Sequence, residues 1–292
     1  MAIVTAATRP ISAPPVARIR RATQVRAMST LAARRLALSV RSPRSLVLPV
    51  MNPALFALVL APALANTVAT PSGRNAYMTF LALATVGLLI PLNALFSGIG
   101  VVVDRQHGAM RELLVAPIRR STIVLGNLVA ALAVTALQIA VLIALSAARG
   151  AAYVTGVHIW WFMAAALVFS VLMYSVAEIL ATRLRSAEAY TGALPVVAIV
   201  PFFFAGSLFP ITALPGWLDD IAKVLPLTHA LALFRYGLTS TSGARALHNI
   251  WGMTSVPAMA ALSLGVIALY AVVAFNLLSA YSPRRAPARQ PD

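Results

Sequence analysis

Six long stretches without a single charged side chain divide this sequence, and they limit its fold more than any other feature. Each holds 28 residues or more, and they cover residues 45–73, 75–103, 121–148, 150–177, 189–218 and 246–283. A helix needs about 20 apolar residues to cross a hydrocarbon core roughly 30 Å thick. Because backbone groups inside lipid must hydrogen-bond within their own segment, each stretch is expected to form one membrane-spanning helix.

The composition excludes a soluble globular enzyme. Only 10% of the 292 residues are charged and 60% are hydrophobic, whereas a soluble domain has roughly 25% charged residues. The alternating polarity that membrane β-strands need is absent from the sequence. We therefore predict an all-α integral membrane protein with six transmembrane helices, approximately at residues 46–66, 78–102, 122–147, 158–180, 190–209 and 256–280. Ser97, Gly98 and Gly100, near the end of the second span, permit close helix contact.

The distribution of basic residues predicts the orientation of these helices. If the N-terminus lies inside, 18 of the 23 Lys and Arg residues fall in inner segments and five fall in outer ones. This asymmetry follows the positive-inside rule and places both termini in the cytoplasm. We expect the plasma membrane of a bacterium. The arginine-rich, acid-free N-terminal segment is also typical of a mitochondrial transit peptide, and that alternative stays open.

The chain divides into four predicted segments. Residues 1–23 hold three prolines and scattered arginines and are expected to be a disordered cytoplasmic tail. In residues 24–44, apolar side chains recur at helical spacing between arginines, which predicts an amphipathic interfacial helix; a disordered basic tail is the alternative. Residues 45–282 form the six-span domain, and residues 283–292 form a second cytoplasmic tail.

Motifs for nucleotide or metal chemistry are missing from the sequence. The single lysine, Lys223, is followed by Val224, whereas a phosphate-binding loop needs Lys followed by Ser or Thr. There is no cysteine, no HExxH motif and no GxSxG motif. Of the seven acidic residues only Glu178 falls inside a predicted span, which is too few for a proton path; pairing with Arg183 or Arg185 is its expected role. These absences are typical of a membrane channel or carrier with no visible energy source of its own.

A dense charged segment, "DRQHGAMRELLVAPIRR" at 104–120, separates the second and third spans. If residues 107–116 are helical, Met110, Leu113 and Leu114 share one face, and Pro117 ends the helix. Such a helix either places its apolar side in a partner's groove or lies on lipid headgroups, and the pattern alone does not choose between them.

This segment resembles the first cytoplasmic loop of ABC-2-type export permeases of the daunorubicin-resistance kind. The matching residues are Asp104, Arg105, Gly108, Glu112, Leu113, Leu114, Pro117, Arg120 and Gly126. Asn127 departs from the family pattern, which often has lysine there.

A second stretch, "FFFAGSLFPITALPGWLDDIAKVLPLTHALALFRYGL" at 202–238, resembles the family's segment between the fifth and sixth spans. The matching residues are Gly206, Phe209, Pro210, Pro215, Trp217, Pro226, Thr228 and Arg235. Its spacing puts Trp217, Ile221, Val224 and Leu225 on one face, opposite Asp219, Asp220 and Lys223, which predicts an interfacial helix. Residues 228–238 are expected to form a short re-entrant helix on which Arg235 snorkels or pairs.

The resemblance covers about residues 24–282 and implies a subunit that works as a homo- or heterodimer of permeases. It also implies two cytoplasmic ATPase subunits, which hold the ATP and Mg, while this chain has no catalytic residue, metal or cofactor of its own. The implied activity is export of a hydrophobic or amphipathic compound. The ATPase-coupling residues implied by the resemblance are Asp104, Arg105, Gly108, Arg111, Glu112, Leu113, Leu114, Pro117 and Arg120. For the substrate pathway we expect Asn93, Phe202, Phe203 and Phe204, between two copies of the chain.

The alternatives come from two other classes of function. An ion-coupled secondary carrier or channel that works without an ATPase stays open as the alternative. An intramembrane enzyme is disfavoured, because no paired acids or histidine cluster stand at the end of a predicted span.

Overall fold

The computed structural model describes residues 29–30, 33, 51, 54–70, 73–106, 120–154, 156–184, 186–239 and 241–280. These residues form helices joined by short turns, and no residue among them is in a β-strand. The all-helical prediction is confirmed for this part of the chain. The predicted tails, 1–23 and 283–292, lie outside it. So does the predicted interfacial helix at 24–44, apart from three helical residues, Ser29, Thr30 and Ala33.

The α-helices in the described ranges are, in chain order, α1 (Ala61–Val68), α2 (Arg74–Gln106), α3 (Arg120–Ala148), α4 (Ile159–Arg183), α5 (Ala187–Leu194), α6 (Val200–Phe204), α7 (Gly216–Val224), α8 (Pro226–Thr239), α9 (Thr241–Trp251) and α10 (Val256–Ala280). A π-helical turn, Phe56–Leu60, precedes α1, and another, Pro195–Ile199, joins α5 to α6. A 3₁₀ turn, Ile211–Ala213, precedes α7.

Five helical segments are long and apolar enough to cross a membrane. They are Arg74–Val103, Val124–Ala148, Ile159–Arg183, Ala187–Phe204 and Val256–Leu278, and they coincide with the second to sixth predicted spans. Of the first predicted span, 46–66, the structure describes Met51 and the residues from 54 onward, which include the shorter apolar helix Leu58–Thr67. The count of six spans therefore stays a prediction.

Successive crossings alternate in direction, so the bundle has two distinct ends. We call one the Arg105 end, where α2 ends, α3 begins, α4 ends and α5 begins. We call the other the α8 end, where α3 ends, α4 begins and α7 to α9 lie. At the α8 end two backbone amides of the turn after α3 donate hydrogen bonds: Ala152 N to the Thr79 hydroxyl at 2.8 Å, and Val154 N to the Leu238 carbonyl at 2.8 Å.

The core lies between α4 and the helices that pack on it, α2, α8 and α10. Helix α8 is buried on every side, from Leu227 to Leu238. It approaches α4 closely because of Gly237, where an added Cβ would lie 2.5 Å from the Cβ of Phe162. By contrast, α10 exposes Leu269, Val272 and Val273. Exposed apolar rows of this kind are what lipid chains cover in a membrane protein.

Candidate functional site

The last turn of α2 is tied to the end of α4 by Arg105. Its Nη1 donates to the Thr182 carbonyl at 3.2 Å, and its Nη2 donates to the Leu184 carbonyl. The final carbonyls of a helix have no amide partner within the helix, and the negative end of the helix dipole favours a cation there. Arg105 therefore joins α2 directly to the turn between α4 and α5.

That turn is short and its two ends are well defined. Leu184 ends α4 in an extended conformation. Ser186 begins α5 as an N-cap, because its hydroxyl accepts from Ala189 N at 3.1 Å. An N-cap serine typically contributes about 1 kcal/mol. Very few residues therefore separate the Arg105 end of α2 from the start of α5.

The predicted coupling residues lie at or beyond this joint. Asp104 and Arg105 are in the last turn of α2, and Arg120 is the first residue of α3. The remaining ones, Gly108, Arg111, Glu112, Leu113, Leu114 and Pro117, lie outside the described residues. Since α2 and α3 pack against each other, the segment between them begins and ends at the Arg105 end.

A buried tyrosine fixes α5 against α2 on the membrane side of the joint. The Tyr190 hydroxyl donates to the Leu95 carbonyl at 3.0 Å, and the side chain is fully buried. It lies where α2 has Gly98: a Cβ at that position would be 2.9 Å from Tyr190 Cζ and 3.2 Å from the Ala177 carbonyl oxygen. The predicted close helix contact at Gly98 is confirmed, and Tyr190 is the residue it admits.

At the α8 end, α7 is the short amphipathic helix that its sequence predicts. The apolar side chains of Trp217, Ile221 and Val224 are exposed, while Lys223 Nζ lies 2.7 Å from Asp219 Oδ2 on the other side. The hydrogen bond to Asp219 raises the pKa of Lys223 above its ordinary value, against a smaller lowering by burial. An exposed apolar face backed by an ion pair suits an interfacial position.

Helices α7 to α10 are joined by a chain of hydrogen bonds through His229. Trp251 Nε1 donates to Ser263 Oγ at 2.8 Å. His229 Nε2 lies 2.9 Å from the Lys223 carbonyl, and its Nδ1 lies 3.3 Å from Ser263 Oγ. A carbonyl only accepts, so Nε2 carries the proton and Nδ1 accepts from the serine. Burial lowers the pKa of His229, and the bond to the Lys223 carbonyl only partly offsets this.

Arg235 on α8 does not snorkel to the surface; of the two expected arrangements it adopts pairing, with backbone carbonyls as its partners. Its side chain is only 5% exposed. One Nη donates to the Gly206 carbonyl at 2.9 Å and to the Ser207 carbonyl at 3.4 Å, and its Cζ lies 3.6 Å from the centre of the Phe80 ring. Gly206 presents its carbonyl from a left-handed conformation, φ +74°, that side chains disfavour. The buried cation is thus held by backbone oxygens and an aromatic face.

Two cavities border the α8 region. One, of about 230 Å³, lies between α8 and α9 and is lined in part by Arg235 and Pro210. The other, of about 170 Å³, is apolar and lies where Pro91, Pro201 and Pro226 approach one another. Among the described residues no group of His, Cys, Asp or Glu is placed to hold a metal ion.

Comparison with known proteins gives the family. The family model for the ABC-2 type transporter matches residues 26–239, which is most of the chain. The chain belongs to the ABC-2 type transporter family. It is also similar to a protein of Porphyra purpurea described as the transport permease ycf38, with 25% identity over 253 residues, covering 82% of this chain and 84% of that protein. The resemblance recognised from the two sequence motifs is confirmed, and the protein is a multi-pass membrane permease.

The predicted pathway residues of this permease occupy different environments. The Asn93 side chain is 6% exposed, and its amide donates to the Thr135 hydroxyl on α3. Phe202 is 2% exposed, whereas Phe203 is 50% exposed; Phe204 is half-buried. Phe203, together with Val196 and Val200, forms an exposed apolar row along the fifth crossing. If a pathway lies between two copies, this row is better placed to line it than Asn93 or Phe202.

The residues of the second matching stretch, 202–238, are partly brought together. Pro210 and Arg235 border the same cavity, Pro226 begins α8, and Pro215 precedes α7. Phe209 and Trp217 point outward, with 39% and 66% of their surface exposed. Sequence reasoning missed Tyr190 and the α9 residues that face Arg235. The sequence does contain a tyrosine on α5 and a run of small residues near the end of α2. Their contact could be predicted only by knowing that α5 packs on α2.

Proposed function

We propose that this protein is the membrane-spanning permease subunit of an ATP-driven ABC exporter. Its Arg105 end faces the cytoplasm, and the segment 107–119 contacts a separate ATPase subunit that binds ATP and Mg. Two permease copies and two ATPase copies form the working unit. Nucleotide binding and hydrolysis move the segment 107–119, and the permease pair alternates between inward and outward access.

The observation that carries the proposal is the double hydrogen bond from Arg105 to the Thr182 and Leu184 carbonyls. It gives the predicted coupling segment a direct mechanical link to α4 and α5, because Arg105 lies in the turn of α2 from which that segment departs. A conformational change follows a ligand only where the ligand has different affinity for the two states. A firm joint lets the energy of nucleotide binding favour one arrangement of the helices.

The cargo is a hydrophobic or amphipathic compound. The exposed row Val196, Val200 and Phe203 offers apolar contact, and the described part of the fifth crossing beyond Glu188 carries no charge. Ligand pockets of this kind bind by apolar packing with a small number of polar groups for orientation.

The test uses charge reversal at two glutamates that the sequence places at the same end. Glu112 lies in the predicted coupling segment, and Glu188 is exposed in the first turn of α5. Tagged wild type, Glu112→Arg and Glu188→Arg are each produced together with the ATPase subunit from the same cells. The ATPase retained on the purified permease is quantified by mass spectrometry, and ATP hydrolysis is measured in proteoliposomes.

We expect Glu112→Arg to reach the membrane in normal amount but to retain at least about tenfold less ATPase, as loss of a paired interfacial charge typically costs 2–5 kcal/mol. Glu188→Arg should retain it as the wild type does. If no ATPase is retained by the wild type, and the purified chain moves an amphipathic dye under an ion gradient alone, the secondary-carrier alternative replaces this proposal.

A further inference from the structure

The cavity between α8 and α9 has two facing polar walls set in an otherwise apolar lining. Thr228 and Arg235 contribute from α8, seven residues apart and therefore on one face of the helix. Arg245 and Asn249 contribute from α9, four residues apart. The closeness of the two helices depends on Gly243, because a Cβ there would fall on the backbone of Tyr236.

Two of these side chains are buried with unused hydrogen-bonding atoms. Arg235 is 5% exposed and its Nε has no hydrogen-bond partner; Thr228 is 3% exposed and its hydroxyl has none either. A buried polar group without a partner costs about 1–3 kcal/mol. Both atoms belong to residues that line the cavity, and a ligand that accepted hydrogen bonds from them would remove that cost.

The charged residues that line the cavity indicate which kind of ligand it can bind. Two arginines line it, and among the described residues around it there is no Asp or Glu. Arginine donates through a planar fork that matches the oxygens of phosphate and carboxylate groups. Arg245 is exposed, so it stands at the open side of the cavity while Arg235 lies at its base. This arrangement favours an oxyanion over a neutral or cationic group.

The size of the cavity limits how much of the ligand enters. A volume of about 230 Å³ is below the 300–1,000 Å³ typical of pockets for drug-sized molecules. The remaining wall is apolar and includes Phe80, Ile211 and Ile250. A small anionic head therefore fits, with alkyl carbons against the wall and the rest of the molecule outside.

We propose that this cavity binds the phosphate group of a phosphate ester, with Arg235 and Thr228 at its base and Arg245 and Asn249 at its mouth. The phosphate belongs either to a membrane lipid or to a free phosphate ester, since both present the same oxygens. The site does not depend on the ATP-driven mechanism, because binding is a property of the permease alone.

The test measures binding to the purified full chain in a neutral detergent, by the rise in unfolding temperature that a ligand of the folded state produces. The probes are dihexanoyl phosphatidylglycerol, dihexanoylglycerol, which lacks the phosphate, and glycerol 3-phosphate, which lacks the acyl chains. The variants are Arg245→Gln and Thr228→Val. The matched control is Arg149→Gln, an exposed arginine in the turn after α3 at the same end.

We expect phosphatidylglycerol to stabilise the wild type and Arg149→Gln, and dihexanoylglycerol to have no comparable effect. Arg245→Gln should need about tenfold more phosphatidylglycerol for half the shift, as expected for a hydrogen bond to a charged group. Thr228→Val should weaken binding while raising the unfolding temperature of the ligand-free protein, because it removes an unpartnered hydroxyl. That pair of effects distinguishes a binding role from a folding defect.

Glycerol 3-phosphate separates the two sources of phosphate. If it stabilises the wild type as well as phosphatidylglycerol does, and Arg245→Gln weakens it equally, the site takes free phosphate esters. If it has no effect, the site takes a lipid head. Equal stabilisation by phosphatidylglycerol and dihexanoylglycerol overturns the proposal, as does an equal loss of binding in Arg149→Gln and Arg245→Gln.

Discussion

The hydroxyl of Tyr190 on α5 fills the space that a side chain at Gly98 on α2 would need, and it donates there to the Leu95 carbonyl at 3.0 Å. The contact joins two crossings that are far apart in sequence. It lies close to the turn that Arg105 holds, so the position of α5 is fixed at two levels.

Substitution at this contact should weaken the bundle. In Gly98→Ala the new methyl group collides with a fully buried tyrosine, and overpacking of this kind costs about 1–3 kcal/mol. The unfolding temperature, followed by tryptophan fluorescence, should fall. Tyr190→Phe in the same chain should restore part of the loss, because it removes the atom nearest the new methyl.

Gly192→Ala is the control for that change, since a Cβ at position 192 of α5 meets no atom within 4 Å. Alanine is the better helix former by up to about 1 kcal/mol, so this variant should unfold at the same temperature or higher. If Gly98→Ala and Gly192→Ala unfold alike, the tight contact described here is wrong.

Loss of Arg105 should free the turn between α4 and α5. Arg183 and Arg185 stand in or beside that turn, so trypsin can report on it directly. In Arg105→Gln, peptides cut after these two arginines should appear several times faster than in the wild type, because the α4 carbonyls lose their donors. Arg105→Lys should be intermediate, as an ammonium lacks the planar fork.

An arginine at the opposite end of the same helix provides the comparison. Arg74 is exposed at the start of α2, and Arg74→Gln should leave the cleavage rate at the α4–α5 turn unchanged. Equal rates in Arg105→Gln and the wild type would show that the two hydrogen bonds do not hold the turn.

Gly243 should be intolerant of any side chain. Its hypothetical Cβ overlaps backbone atoms of Tyr236 and Arg235, which cannot rotate away as a side-chain tip can. Gly243→Ala should therefore separate α9 from α8 and lower the unfolding temperature. The free energy of unfolding should fall by about 1–3 kcal/mol or more. Gly265→Ala, in α10 with no atom within 4 Å of the added carbon, should be neutral or stabilising. Similar behaviour of the two variants would contradict the close packing of α8 on α9.

The hydrogen-bond chain through His229 predicts a dependence of stability on pH. Burial lowers the folded-state pKa of His229 below its ordinary value of about 6.5. Below that pH the unfolded chain binds a proton that the folded chain resists, so the free energy of unfolding falls as the pH drops from about 6.5 toward the folded-state pKa. Above about pH 6.5 this histidine no longer changes the free energy of unfolding, and below its folded-state pKa the loss of stability is complete.

The measurement is the unfolding temperature between pH 7.5 and 5 for the wild type, His229→Gln and His248→Gln. The acidic slope should flatten in His229→Gln, because glutamine does not titrate. His248 is exposed, and its replacement should leave the slope unchanged. Nearby Lys223, whose pKa is raised by its hydrogen bond to Asp219, keeps its charge across this range. An unchanged slope in His229→Gln would show that His229 does not cause the pH dependence.

The sequence predicts the spans well and the site only in part, for a physical reason. A charged side chain is costly in lipid, so a long uncharged stretch marks a membrane-spanning helix. For this reason α2, α3, α4, α10 and the fifth crossing could be located from composition. Exposed Trp217 and the ion pair of Lys223 with Asp219 follow from helical spacing within nine residues. These are local properties.

Contacts between distant segments could not be obtained in this way. That Arg235 and Arg245 line the same cavity depends on how α8 folds back against α9, and the contact of the Arg235 guanidinium with Phe80 depends on where α2 passes. Burial of α8 on all sides also requires Gly237 to meet Phe162. Nothing in the spacing of any one of these segments indicates its partner.

The fifth crossing is wound unevenly: the turn Pro195–Ile199 is π-helical, and Pro201 follows in α6. Proline lacks the amide hydrogen that closes a helical bond, and a π turn is wider than its neighbours. A helix with a π turn and a proline near its middle bends at those points more readily than it transmits a movement along its axis. If the proposed coupling moves Ser186, we therefore expect the fifth crossing to bend at these points and to displace Phe203 sideways.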